Sequence, residues 1–151
     1  MLAPPEHTWS WMLDTSIPSD IDRGHAVIEE LIAALERADW EGRDLFHVRL
    51  ATEEAVVNAI EHGNKRHHDK TVHLDFRVSP ECCYLQITDQ GAGFDRATLK
   101  DCTDEANVDK PRGRGVMLIE QLMSQAQYNQ CGNQLTMFRL RNDPALAPQD
   151  D

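Results

Sequence analysis

Hydrophobic and polar residues alternate without a break from Thr71 to Val78. Val72, Leu74, Phe76 and Val78 fall on one side, while Thr71, His73, Asp75 and Arg77 fall on the other. That period of two predicts a strand with one buried face. The pattern resumes in CYLQITD, where Cys83, Leu85 and Ile87 share a side. Pro80 and Glu81 make the link between the two runs tight, which predicts an antiparallel hairpin. Trp9, Trp11 and Leu13 alternate with Ser10, Met12 and Asp14 and predict a first strand.

Elsewhere the period lengthens. Pro18 and Ser19 announce a helix with Ser19 as N-cap and Asp22 three residues on. Its apolar stripe is Ile28, Leu31, Ile32 and Leu35. A second helix is predicted from about Asp44 to His62, with Gly63 placed to end it. Residues 115 to 124, GVMLIEQLMS, are apolar enough for a buried helix. QYNQC and QLTMFRLR flank Gly132 and Asn133, a hairpin turn. The stretch from Phe94 to Arg112 is polar and aperiodic, too long for an idle connection, and reads as a lid.

This order predicts an α+β fold: a two-layer sandwich of one mixed, mostly antiparallel sheet with helices on one face. A doubly wound fold would need strictly alternating strands and helices. Neither linker nor repeat interrupts the chain, so residues 1 to 151 are expected to form one domain with an ordered core of about 8 to 141. The Pro- and Asp-rich ends, 1 to 6 and 143 to 151, are expected to fray.

Charge narrows the partners. The formal charge is −11, from 15 basic and 26 acidic residues, which repels a phosphate backbone and argues against direct nucleic-acid binding. No apolar run approaches the roughly 20 residues that span a bilayer. No secretory signal opens the chain, so no membrane partner and a cytoplasmic location are expected. Cys82, Cys83, Cys102 and Cys131 lack CxxC spacing and read as reduced thiols. His62, His67 and His68, beside Asn64, Lys65, Arg66 and Asp69, read as a solvated turn rather than a metal site.

Three polar patches carry candidate chemistry. In EEAVVNAIEHGN, Glu54 and Asn58 stand four residues apart and so project from one helix face. An amide oxygen is a hard, neutral ligand for Mg²⁺, and a carboxylate can take a proton. Ala55 and Ala59 leave room for another backbone to approach. In DQGAG, Asp89 ends a strand where its carboxylate can accept a hydrogen bond from an exocyclic amine. Gly91 and Gly93 allow a sharp turn and space for a planar ring. In PRGRGVMLIEQLM, Gly113 and Gly115 lead into a helix from Val116, whose free N–H groups form an anion site. Lys110, Arg112 and Arg114 add local positive charge there. The spacing fits neither a P-loop nor a dinucleotide fingerprint, and no GxSxG or SxxK is present.

A metal-ligand helix, an amine-reading carboxylate and a phosphate-holding helix start make a nucleotide site. In this order and spacing the chain resembles the GHKL ATPase superfamily, which has the Bergerat or histidine-kinase-like ATPase fold and includes histidine-kinase catalytic domains, gyrase and MutL. More narrowly it resembles the bacterial anti-sigma factor serine kinases. EAVVNA at 54 to 59 matches the N box, DQGAG at 89 to 93 the first glycine box and GRGVMLIEQLM at 113 to 123 the second, within a resemblance covering about residues 8 to 141. The resemblance implies ATP and Mg²⁺ as cofactors. It implies Glu54 as general base toward a serine hydroxyl, Asn58 as the Mg²⁺ ligand, and Asp89 as reader of the adenine amine. Gly91 and Gly93 would pack the ring; Gly113, Arg114 and Gly115, with Lys110, Arg112 and Val116, would hold phosphates. The implied partners are an anti-sigma factor antagonist of the STAS type as substrate, a sigma factor, and a second copy through the first strand and helix, although Trp9 and Trp11 serve equally as core. Asn133 departs from the threonine of many relatives. An ATP-dependent binding switch without phosphoryl transfer is the alternative. A histidine-kinase module would need a preceding phosphoacceptor hairpin, and a gyrase-type motor a transducer domain, neither of which is expected in 151 residues.

Overall fold

A computed structural model describes residues 5 to 91 and 113 to 147, with the backbone alone at Gly113 and Arg114. The chain runs β1 (Trp11–Pro18), α1 (Ile21–Arg37), α2 (Gly42–Asn58), a π-helical turn (Ala59–Gly63), β2 (Thr71–Val78), β3 (Cys82–Thr88), α3 (Gly113–Leu122), β4 (Gln125–Tyr128) and β5 (Gln134–Leu140). The expected lid at 94 to 112 lies outside the described residues. The five strands form one sheet in the order β1-β2-β3-β5-β4. All four described pairings are antiparallel. The expected two-layer α+β sandwich is present.

Register decides which residues meet the helices. Leu74 lies opposite Ile87 and Phe76 opposite Leu85, while Leu85 lies opposite Met137 and Ile87 opposite Leu135. These side chains are all buried and join the α1 stripe of Ile28, Leu31, Ile32 and Leu35 in one core. Ile119, Leu122 and Met123 extend that core beneath α3 and just beyond it. The opposite sheet face carries polar pairs, including His73 with Asp14 at 2.6 Å and a two-pronged Arg77–Asp75 contact. Burial pushes the Cys82 thiol up to about 12, which leaves it protonated and unreactive.

Two boundaries differ from the sequence expectation. Asp20, not Ser19, caps α1, accepting from the Asp22 N–H at 2.9 Å. Ser19 is buried and its hydroxyl donates instead to the Lys70 carbonyl at 2.8 Å. The second helix begins at Gly42, and after Asn58 its last turn widens to the π form, closed by the Asn64 N–H on the Ala59 carbonyl at 2.9 Å. Gly63 is not the left-handed terminator; that conformation falls on Lys65 (φ 50°) and Arg66 (φ 58°).

One charge sits on the helix side of the sheet. Arg139 lies opposite Cys83 in register and is 2% exposed. Its Nε and Nη2 donate to Asp44 Oδ1 at 2.9 and 2.7 Å, and Nη1 donates to the Leu122 carbonyl. The start of α2 and the end of α3 are thereby fastened to β5. Removing one partner from such a pair strands the other charge away from water. Asp44→Ala is expected to lower unfolding free energy by about 3 kcal/mol in urea titration, and Arg139→Met in the same chain is expected to restore part of it.

His47, one turn of α2 from that pair, has a buried Nδ1 with no hydrogen-bond partner among the described residues. Burial, then Arg139 and Arg43, hold its imidazole below the ordinary histidine value. The folded chain therefore binds this proton less readily than the unfolded chain. Stability is complete above about pH 6.5, the unfolded value, and falls as pH drops through the lower folded value. His47→Gln is expected to shrink the difference between unfolding midpoints measured at neutral and mildly acidic pH.

Candidate functional site

α2 presents Glu54 and Asn58 on one face, as their spacing requires, and Asn58 Nδ2 donates to Glu54 Oε1 at 3.4 Å. Asn58 is buried at 8% exposure and Glu54 is half-buried. The first turn of α3 lies directly over this pair. A methyl group placed on Gly115 would come within 2.7 Å of Glu54 Oε1 and 2.8 Å of Asn58 Nδ2, so a side chain there would displace the head groups of this pair. The helix begins at Gly113, not at Val116, so both glycines belong to its first turn. The N–H groups of that turn are those an α-helix leaves unpaired. Val116 is half-buried on the next position.

Asp89 follows β3 and is 4% exposed. Its Oδ1 accepts from the Gly91 N–H at 2.9 Å. Gly91 holds φ at 57°, the left-handed region in which glycine is unstrained. Beneath the carboxylate lies Gly63: a Cβ there would sit 2.3 Å from Asp89 Cγ and Oδ2. Asp89 and Asn58 line a single cleft with Ala55, Ala59, Tyr128 and Asn133. Glu54, Asn58, Gly115 and Asp89 are thus brought together. Gly93, Lys110 and Arg112 lie outside the described residues, as does the side chain of Arg114.

The cleft is narrow, with a cavity volume of about 10 Å³, room for about one water. A larger hollow of about 450 Å³ opens beside the β4–β5 hairpin, shares Tyr128 with the cleft, and is lined by amides such as Gln127, Asn129 and Gln134. Its lining includes none of the candidate site residues. Chemistry rather than volume marks the site.

Gly63 and Asn64 escaped the sequence reading of the site, which marked Asn133 only by its departure from threonine. Gly63 is needed for space under a carboxylate, not for a turn. Asn133 binds back to Asp89: its Nδ2 donates to the Asp89 carbonyl at 3.1 Å, and the Asp89 N–H donates to its carbonyl at 2.8 Å. Asn64, expected in a solvated turn, is completely buried, while Lys65 to Asp69 around it are exposed as expected. A lone asparagine among charged neighbours carries no signal of burial.

A polar helix face packed under a glycine-bearing helix start, with a buried carboxylate at the adjoining strand end, defines a histidine kinase-like ATPase domain. The chain belongs to that family, whose pattern matches residues 17–139. It is similar to the serine-protein kinase RsbW of Staphylococcus epidermidis, 27% identical over 135 residues that cover 84% of this chain and 85% of the relative. The protein of the same name from Staphylococcus aureus (strain JH9) is 26% identical over the same coverage. That of Listeria monocytogenes is 26% identical over 93 residues, 58% of this chain and 59% of its own.

Gly63→Ala is expected to destabilise the fold by about 1–3 kcal/mol, the usual cost of overpacking. Because the collision is with one side chain, the Gly63→Ala, Asp89→Ala double variant is expected to lose less than the sum of the two single losses in thermal unfolding.

Proposed function

We propose that this chain is a protein-serine kinase using Mg-ATP, which phosphorylates an anti-sigma factor antagonist of the STAS type and, in its unphosphorylating state, holds a sigma factor in the cytoplasm. The observation that carries the reading is the Glu54–Asn58 pair packed against the first turn of α3, in one cleft with Asp89. The similarity to proteins named serine-protein kinases supports transfer rather than binding alone.

The donor set fits the nucleotide and its metal. With Asn58 Nδ2 engaged by Glu54, its Oδ1 is a hard neutral oxygen suited to Mg²⁺. Mg-ATP supplies the phosphoryl group. Asp89 is acceptor-only when ionised and suits the exocyclic amine of adenine. The first-turn N–H groups of α3 suit phosphate oxygens, aided by Lys110, Arg112 and Arg114. Gly91 and Gly93 carry no side chain that would obstruct a base. Glu54 takes the proton of the acceptor serine as its oxygen bonds to phosphorus and the bond to the departing nucleotide breaks. Positioning and charge neutralisation are the main demands of this reaction. A volume of about 10 Å³ is smaller than a base, so part of the cleft lining other than the held Asp89 peptide has to move before one enters.

Asp89→Asn is expected to weaken ADP binding at least about tenfold in calorimetry, since an amide turns one acceptor into a donor facing the amine. Glu54→Gln is expected to keep nucleotide affinity and lose phosphoserine formation on the antagonist, followed with labelled ATP. Unchanged affinity in the first variant removes the adenine assignment. Bound nucleotide with no transfer by the unaltered chain makes the protein a nucleotide-dependent switch instead.

A further inference from the structure

The peptide unit that joins Asp89 to Gln90 is held at both of its polar atoms by side-chain amides. The Gln90 N–H donates to Asn64 Oδ1 at 2.8 Å, and the Asp89 carbonyl accepts from Asn133 Nδ2 at 3.1 Å. The two asparagines come from opposite sides: Asn64 follows the π turn after α2, and Asn133 precedes β5.

Each is anchored in turn. Asn64 Nδ2 donates to Ser19 Oγ and to the Thr71 carbonyl, both at 2.9 Å, so three of its hydrogen-bonding positions are filled in full burial. Asn133 Oδ1 accepts from Asn129 Nδ2 at 2.7 Å, and the Asn133 N–H donates to Asn129 Oδ1 at 3.0 Å. Around them, Gln90 Oε1 accepts from the Thr71 N–H at 2.8 Å, and Lys70 Nζ donates to the Gly91 carbonyl at 3.1 Å.

We infer that Asn64 and Asn133 are positioning residues that clamp the Asp89–Gln90 peptide plane and so fix the direction in which the Asp89 carboxylate meets a nucleobase amine. The inference rests on the proposed role of Asp89. The preceding peptide is held as well, by the Asp89 N–H on the Asn133 carbonyl, so the two torsions of Asp89 that set its Cα–Cβ direction have little freedom. Gly63 sets the floor below the same carboxylate, so its aim is limited from beneath and from both flanks. A pre-set acceptor needs no ordering when the base arrives. Base selectivity, rather than affinity for the sugar and phosphates, is therefore what the clamp supplies.

Calorimetry on the full chain with Mg²⁺ tests this, comparing ADP with purine riboside 5′-diphosphate, which lacks the exocyclic amine. The unaltered chain is expected to prefer ADP by about tenfold or more, the effect of one hydrogen bond to a charged group. Asn64→Ala and Asn133→Ala are each expected to cut that preference by about fivefold while the affinity for purine riboside diphosphate stays within about twofold. The double variant is expected to cut it by less than the product, since both act on one plane. Equal weakening of both nucleotides, with the ratio kept, would show a merely structural role and overturn the clamp while leaving the Asp89 assignment standing. No preference in the unaltered chain would overturn the assignment and the clamp together. Asn133 is only half-buried, so if Asn64→Ala does not fold, the ratio in Asn133→Ala decides.

Discussion

A carboxylate almost fully withdrawn from water is the constraint around which this molecule is arranged. Asp89 gains its place only because its neighbours give way or bond to it: a glycine below, a backbone N–H at its own oxygen, and amides on the adjoining peptide. Burying such a group without partners is costly, and its supports, with the groups that anchor those supports in turn, come from five separate stretches of chain. Those stretches include the end of β1 through Ser19, the turn after α2, the start of β2, the turn after β3, and the β4–β5 hairpin. The local demand of one side chain thus organises one end of the sheet.

The other end is organised by a second ion, Arg139. Its links to Asp44 and Leu122 fasten α2 and α3 to β5, and with the two helices held, Gly115 meets Glu54 and Asn58 at contact distance. Helix α2 therefore runs between two polar anchorages, with an apolar middle of Val48, Ala51, Ala55 and Val56. The candidate pair Glu54 and Asn58 lies toward the Asp89 end of that span, and the fastening to Arg139 is done near the other.

How much of this was legible in the sequence depended on whether the cause was local. Strand β2 matches its predicted limits because alternation over 71 to 78 needs no tertiary knowledge. The stripe Ile28, Leu31, Ile32 and Leu35 was readable for the same reason and is buried throughout. Ser19 was misread as a cap because its hydroxyl answers a carbonyl 51 residues away, which outcompetes the neighbouring helix start. Gly63 looked like a helix terminator, since a requirement for empty space beside Asp89 leaves no mark in local spacing. Asn64 was read with its charged neighbours as solvated, although a π turn had already carried it inward. The Glu54, Asn58, Asp89 and Gly115 set could be read because each belongs to a patterned segment; the amides that steady Asp89 could not, because their partners are distant in sequence.

The indole of Trp40 is buried at 2% exposure, with Nε1 donating to the Ser79 carbonyl at 2.9 Å. Ser79 follows the end of β2 opposite the Asp89 margin, because β2 and β3 run antiparallel with Val78 beside Cys83 and His73 beside Thr88. A strand of that length spans roughly 20 Å. Among three tryptophans this one is an optical reporter built into the far rim. Its burial ties its emission to the native core at a rim remote from the cleft, so that emission reports unfolding of the core.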